Sequence, residues 1–124
     1  MQDPNLSQKE DVTRWLIRFK DIATDSNNFH IINRRDTITA LSDLGMTREN
    51  MKRIILGLTV QDYCSGPEPD HEPTKRGAIW NFGVHEGGYF IYIKLKIAPL
   101  KKGGNIAVCL SFHPAEWDLC FPYK

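Results

Sequence analysis

The sequence predicts an α+β fold in which N-terminal helices pack on one face of a small antiparallel sheet. Two periodicities in the 124 residues lead to this prediction. Apolar residues recur every three or four positions in the first half, as in amphipathic helices, and every second position after residue 78, as in strands. Because the helices precede the strands and do not alternate with them, the order fits an antiparallel meander covered on one side.

The first half is predicted to contain three helices. Ser7 and Glu10 have the spacing of a capping box at the start of the first helix. A second helix is expected from about Thr37 to Leu44, and a third begins after Thr47 as its N-cap. The apolar stripe of the first helix consists of Val12, Trp15, Leu16, Phe19, Ile22 and Ala23.

Three strands follow a segment rich in proline. The three prolines between residues 65 and 73 predict a surface loop, because proline lacks the N–H that regular structure uses. Alternating apolar residues then predict strands over 78–86, 89–98 and 105–113, and Gly87-Gly88 forms the turn between the first two.

The composition fits one ordinary globular domain. Hydrophobic residues make up 41% and charged residues 25%, which argues against disorder and coiled coil. We expect a single domain with a helical part at about 7–63, a loop at 64–77, a sheet at about 78–113 and a tail at 114–124. No stretch approaches the roughly 18 apolar residues of a membrane span, and no signal-peptide core is present, so we expect a cytoplasmic protein without a membrane partner.

Strand alternation divides the predicted sheet into an apolar and a polar face. The helices are expected to cover the apolar face, which in the third strand comprises Ile106, Val108, Leu110 and Phe112. The opposite set of the third strand comprises Ala107, Cys109, Ser111 and His113. The polar residues of the other two strands that share this face are Asn81, His85, Tyr92, Lys94 and Lys96.

The charges are concentrated next to this polar face. The net charge of +1 argues against a general polyanion binder. Residues 75–104, however, contain six basic residues against one acidic residue. This basic segment, together with the polar face, predicts RNA-binding residues, namely Lys75, Arg76, Asn81, Lys94 and Ser111.

The polar face could cleave RNA without a metal. Cleavage needs a base for the 2′-OH, a cation for the charged phosphorane and an acid for the leaving oxygen. Histidine titrates near neutral pH, so His113 is the candidate acid or base. Lys96 or Lys94 would hold the phosphate, and Tyr92 would orient it or act as a weak acid. The alternative is a solvated face on which lysines only prevent edge-to-edge aggregation.

No cofactor or metal site is predicted. The four histidines and three cysteines show neither C-x-x-C nor H-x-x-x-H spacing. An odd number of cysteines without a close pair predicts reduced thiols. A hydrolase triad through Ser65 and His113 is not supported either, because the G-x-S-x-G motif is absent from the sequence.

Four short blocks of the sequence, at 54–63, 79–80, 91–95 and 108–112, point to a family. In their order and spacing they resemble the MqsR-type toxins of bacterial type II toxin–antitoxin systems, part of the wider RelE/ParE-like group. The resemblance spans roughly residues 37–113, and the ending CLSFHPAEWDLCFPYK is also similar to short bacterial toxins of this kind.

The resemblance implies a RelE-like fold, ribosome-independent mRNA cleavage and neutralisation by a cognate antitoxin protein. Tyr92 and Lys94 match the family, and Asn81 keeps an amide where the family has glutamine. Ser65 and His113 stand where the family has lysines. The implied function is therefore a toxin that acts as a metal-independent endoribonuclease, an mRNA interferase. The two lost lysines leave two alternatives open: a toxin-fold protein without RNase activity that binds gyrase or another target, and a small structural or regulatory partner protein.

Overall fold

The computed structural model describes residues 6–70 and 76–124, and within them three helices and one five-stranded sheet form an α+β fold. The helices are α1 (Lys9–Thr24), α2 (Arg35–Leu44) and α3 (Arg48–Leu56). The strands are β1 (Phe29–Ile31), β2 (Tyr63–Glu68), β3 (Ile79–Glu86), β4 (Tyr89–Pro99) and β5 (Asn105–Pro114). The predicted α+β class is confirmed. None of the helices in these two ranges has the length and apolar character needed to cross a bilayer.

The sheet is mixed, so the prediction of a purely antiparallel sheet is wrong. Its strand order is β1-β5-β4-β3-β2, and β1 runs parallel to β5 while the other pairs are antiparallel. The parallel strand is only the three residues Phe29–Ile31, placed between α1 and α2. Three residues are too few for alternation to distinguish a strand from a connector.

The other edge strand, β2, lies where a loop was predicted. Tyr63–Glu68 pairs with β3, although the pairing is irregular in register. Pro67 is compatible with this position because an edge strand has one side without a neighbouring strand, where the missing N–H breaks no ladder bond. The predicted loop at 64–77 is therefore shorter than expected.

The predicted helices form with differences at their starts. The Thr47 cap of α3 is confirmed, but α2 begins at Arg35, two residues before the predicted position. The capping box of Ser7 is wrong, because Gln8 is the N-cap of α1. Ser7 instead donates its main-chain N–H to the Tyr63 hydroxyl at 2.9 Å and its own hydroxyl to the Gly66 carbonyl oxygen at 2.9 Å, which ties α1 to β2.

The core lies between the sheet and the helices. The predicted stripe of α1 is buried at its central positions, and the Trp15 ring stacks on Trp80 of β3 with centroids 4.9 Å apart. Fully buried members of this core include Val12, Phe19, Met51, Ile55, Leu58, Phe82, Ile91, Ile93, Leu95 and Phe112. We call the opposite side of the sheet, which carries Asn81, Tyr92, Lys94 and Ser111, the open face.

A β-bulge in β5 exchanges the two faces of part of that strand. Lys94 stands opposite Ser111, whereas the next residue, Leu95, stands opposite Cys109, so Leu110 is the extra residue. Strict alternation could not predict this insertion. The core therefore contains Ala107 and Cys109 where the sequence placed Val108 and Leu110. Val108 and Leu110 instead form a second apolar cluster with Ile79, partly covered by Ile32, Ala98 and Ile106.

Candidate phosphate-binding face

Two rows of residues cross the open face in register. The first row consists of Ser65, Asn81, Lys94 and Ser111, one from each of β2 to β5. The second consists of Gly83, Tyr92 and His113. Residues directly opposite each other project to the same side of a sheet. The open face therefore brings together Asn81, Tyr92, Lys94, Ser111 and His113, as the sequence predicted.

Tyr92 occupies the centre of this face as a neutral, positioned phenol. It is 9% exposed, and its hydroxyl donates to Asn81 Oδ1 at 2.9 Å. The Asn81 amide in turn donates to Ser65 Oγ at 3.0 Å. Burial, and to a smaller extent electrostatic repulsion from Glu68 and from Cys64, raise the pKa of Tyr92 to about 12. Tyr92 therefore stays protonated at neutral pH and holds the amide in place.

His113 is oriented by its neighbour in the chain. Its Nδ1 lies 2.9 Å from the Pro114 carbonyl oxygen, and its ring centroid lies 5.8 Å from that of Tyr92. A carbonyl oxygen can only accept, so Nδ1 carries the hydrogen of this bond. In the neutral imidazole, Nε2 is then the nitrogen with a free lone pair, and it is available as a proton acceptor.

Two cations flank Ser111 beside His113. Lys94 is the cross-strand partner of Ser111, and its Nζ lies 5.8 Å from the centroid of the Tyr92 ring. Arg34, at the start of α2, donates from Nη1 to Ser111 Oγ at 3.3 Å. Sequence reasoning missed Arg34, because only the tertiary fold brings residues 34 and 111 together. Lys94 and Arg34 can together neutralise one phosphate group next to the imidazole.

Lys96 is buried and paired with a carboxylate, whereas a catalytic lysine must be open to the substrate. It is 5% exposed, and its Nζ lies 2.9 Å from Asp70 Oδ2. Its cross-strand neighbours are Ile79 and Val108, which belong to the second apolar cluster. Lys96 lies on the same face of the sheet as Tyr92, but its ammonium group is paired with Asp70. Its role in the structure is therefore to stabilise the fold.

The remaining basic candidates do not join the group around Ser111. Arg76 is exposed, and the adjacent Gly77 packs against the backbone of Ile97. Ile97 is three residues beyond Lys94 along β4, roughly 10 Å away, and no hydrogen bond joins Arg76 to Lys94 or Ser111 among the described residues. Lys75 lies outside the described residues. Lys94 and Arg34 are therefore the cations that accompany His113 within the described part of the chain.

The C-terminal tail, residues 115–124, folds back over the open face. Trp117 is 57% exposed, and its ring centroid lies 5.3 Å from that of Tyr92. Further on, Leu119 and Phe121 lie over Gly83, and the Tyr123 ring stacks on Tyr63 at 5.8 Å. The tail therefore crosses the sheet next to the row of Tyr92 and His113.

A glycine in β3 makes room for the tail. A Cβ at Gly83 would lie 2.5 Å from Leu119 Cδ1 and 3.2 Å from the Phe121 ring. We expect Gly83→Val to displace the tail and to lower the free energy of unfolding by about 1–3 kcal/mol, measured by urea denaturation. Gly57→Ala is a matched control, because its added Cβ comes no closer than 3.4 Å to a neighbouring atom. Equal stability of both variants would contradict this packing.

Between the tail and β2 lies a cleft of about 330 Å³, which we call the tail cleft. The residues that define its chemistry are Ser65, Glu68, Asn81, Tyr92, Trp117 and Asp118. Its acidic side chains contrast with the cations on the β5 side of Tyr92. The open face is thus divided into a basic half beside β5 and an acidic, aromatic half beside β2.

Two thiols and one phenol, those of Cys64, Cys109 and Tyr92, are expected to make the stability of the protein sensitive to alkaline pH. Burial is the main cause that raises the pKa of Cys64 and of Cys109 to about 12, as it does for Tyr92. Because the folded state favours the protonated forms, their contribution to stability is full below about pH 9 and is lost as the pH rises towards 12. Urea denaturation from pH 8 to pH 11 should show this loss, and Cys109→Ala should reduce its slope. An identical slope in the variant would contradict the assignment.

Neither metal-ligand clusters nor known relatives add to this description. Among the described residues, no group of three or more His, Cys, Asp or Glu side chains could hold a metal ion. No family model, curated protein or solved structure matches the chain significantly. The resemblance to MqsR-type toxins therefore stays a prediction from the sequence.

Proposed function

We propose that this protein is the toxin of a bacterial type II toxin–antitoxin system and acts as a metal-independent endoribonuclease on mRNA. The observation that carries the proposal is the position of His113 two residues from Ser111, which pairs with Lys94 across the strands and accepts a hydrogen bond from Arg34. An imidazole with a free nitrogen beside two cations provides the groups that RNA cleavage by its own 2′-OH requires. The blocks that resemble MqsR-type toxins support a RelE-like class, a cytoplasmic site of action and an antitoxin partner.

The reaction can be assigned to the residues of the basic half. Lys94 and Arg34 bind the non-bridging oxygens of the scissile phosphate and stabilise the charge that develops on the phosphorane. His113 Nε2 takes the proton of the 2′-OH, whose oxygen attacks phosphorus, and the 5′-oxygen leaves with a proton from the imidazolium or from water. Tyr92 and Asn81 position the site and transfer no proton.

Expression in a bacterial host tests this function. The wild type should arrest growth and fragment mRNA, and His113→Ala should relieve both effects at equal protein level. His30→Ala is the matched control, since His30 is an exposed histidine of β1, the edge strand beyond β5. Co-expression of a small protein encoded next to this chain should restore growth if that protein is the antitoxin. If His113→Ala arrests growth as strongly as the wild type, the proposed site is wrong.

One observation favours a second function, that of a toxin-fold protein without RNase activity. Of the three residues that the sequence proposed for catalysis, Tyr92 donates its hydroxyl to Asn81 and Lys96 is paired with Asp70. His113 alone is then placed to move a proton, which suits binding as well as cleavage. A purified protein that leaves RNA intact but inhibits DNA supercoiling by gyrase, or binds another protein target, would select this function.

A further inference from the structure

The bulge in β5 decides on which side of the sheet His113 lies. Before the bulge, Cys109 belongs to the core. Regular alternation would place Ser111 and His113, two and four residues further on, on the same core side. The extra residue Leu110 shifts the alternation by one position, so that Ser111 and His113 reach the open face instead. The position of His113 therefore depends on the contacts that hold the backbone just after the bulge.

These contacts come from α2, because β1 does not extend along this part of β5. The last residue of β1 pairs with Cys109. Beyond that point Arg34 donates to Ser111 Oγ at 3.3 Å, and Thr37 Oγ1 accepts the main-chain N–H of Phe112 at 3.3 Å. Arg34 and Thr37 are about one helical turn apart. The beginning of α2 therefore takes the place of a neighbouring strand at the residues that precede His113.

The bond at Thr37 holds the backbone where it matters most for His113. Thr37 is only 2% exposed, and its partner Phe112 is the residue directly before His113. A main-chain N–H inside a protein needs an acceptor, and here a side chain supplies it. The Phe112 ring is fully buried in the core. Phe112 is thus fixed both through its ring and through its N–H, which directs His113 towards the open face.

A second hydrogen bond spans the bulge itself. The buried Cys109 thiol donates to the Ser111 carbonyl oxygen at 3.4 Å. A thiol is a weak donor, so this bond constrains the backbone less than the bond between Phe112 and Thr37. The position of the backbone after the bulge therefore depends chiefly on Thr37.

The chemistry proposed for His113 requires an accurately placed imidazole. Its Nδ1 lies 2.9 Å from the Pro114 carbonyl oxygen, and its ring centroid lies 5.8 Å from that of Tyr92. A general base must lie within hydrogen-bond distance of the proton that it removes. A displacement of about 1 Å, even one caused by a distant substitution, can lower a rate by roughly a hundredfold.

We propose that Thr37 is a positioning residue of the site, which fixes β5 after the bulge through the Phe112 N–H and thereby holds the His113 imidazole beside Ser111 and Tyr92. The expected effect on cleavage rests on the proposed function, whereas the effect on the position of His113 does not. The inference assigns to α2 a second contribution to the site besides Arg34.

Thr37→Val tests the inference, because it removes the acceptor and nearly keeps the shape of the side chain. At saturating RNA the single-turnover cleavage rate should fall by about 10–100-fold. The affinity for RNA should stay close to the wild-type value, since Lys94 and Arg34 are retained. Thr37→Ser keeps the hydroxyl and should restore the rate.

Two control variants separate positioning from other effects. Thr13→Val makes the same change at an exposed threonine of α1 and should leave the rate unchanged. Ile55→Val removes one buried methyl group from α3 and should lower stability without lowering the rate.

Nuclear magnetic resonance measures the position of His113 without any RNA. Nuclear Overhauser effects between the His113 and Tyr92 rings should be present in the wild type, weaken in Thr37→Val and return in Thr37→Ser. The Phe112 amide of the wild type should exchange with solvent at least roughly a hundredfold more slowly than an exposed amide. This second measurement tests the bond to Thr37 even if Thr37→Val does not fold.

The possible outcomes separate this inference from the proposed function. Thr37→Val that cleaves at the wild-type rate, or that loses no more rate than Ile55→Val, would overturn the inference and leave the proposed function standing. If the wild type leaves RNA intact, the proposed function fails and the ring contact decides: its loss in Thr37→Val supports the positioning, and its persistence overturns it. Rapid exchange of the Phe112 amide in the wild type would overturn the inference in either case.

Discussion

Lys96→Ala is expected to lower the free energy of unfolding by about 3–5 kcal/mol, because it removes one partner of a buried ion pair. The side chains of Lys96 and Asp70 are only 6% and 11% exposed, and their charged atoms lie 2.9 Å apart. Loss of the ammonium group removes this partner from the largely buried Asp70 carboxylate. Urea denaturation at neutral pH measures the change.

Two variants separate the ion pair from the rest of the open face. Lys94→Ala removes a lysine that has no ion pair among the described residues, and it should change stability by less than about 1 kcal/mol. The double variant Lys96→Met/Asp70→Asn removes both charges and should recover part of the stability lost in Lys96→Ala. A stable, fully folded Lys96→Ala that has lost only RNA cleavage would contradict this assignment and restore the catalytic role predicted from the sequence.

His113→Ala is expected to lower the rate of RNA cleavage by about 10²–10⁴-fold, the usual contribution of a general acid or base. The affinity for RNA should change little, because the variant keeps Lys94 and Arg34, the residues proposed to bind the phosphate. Single-turnover cleavage of a labelled oligonucleotide, with binding measured separately by fluorescence anisotropy, distinguishes the two effects.

A variant of the neighbouring Lys94 is the control for the His113→Ala prediction, because it should change RNA binding. Lys94→Gln should weaken RNA binding and reduce the slope of log affinity against log salt concentration by about 0.7, as expected for one lost contact to a single-stranded phosphate. His30→Ala should leave both rate and affinity unchanged. A His113→Ala protein that cleaves at the wild-type rate would show that another group transfers the proton.

Alternation along single strands was sufficient to predict the central part of the open face. In β4, Tyr92 and Lys94 are two residues apart and both face away from the helices, and Asn81 and His113 join them through cross-strand pairing. Local sequence chemistry also predicted the start of α3 at Thr47, because the cap and its partner are three residues apart. These features could be predicted because they depend on contacts between residues close in sequence or on the alternation of side chains along a strand.

The features that could not be predicted depend on distant residues or on irregular backbone. The bulge at Leu110 shifts the register by one residue and leaves no pattern in the sequence. Asp70, the partner of Lys96, lies 26 positions away, and Arg34 lies 77 positions from Ser111. The contact between Trp117 and Tyr92 likewise depends on the path of the C-terminal tail across the sheet, which local sequence does not determine.

The chemical nature of the cleavage products shows whether the RNA is cut by its own 2′-OH without a metal ion. RNA incubated with the purified protein in the presence of a metal chelator should give 5′ fragments ending in a 2′,3′-cyclic phosphate and 3′ fragments beginning with a 5′-hydroxyl. These ends follow from attack by the 2′-oxygen with His113 as the base and with Lys94 and Arg34 on the phosphate. Fragments with 3′-hydroxyl and 5′-phosphate ends, or RNA left intact by the wild type, would contradict metal-independent cleavage at this site.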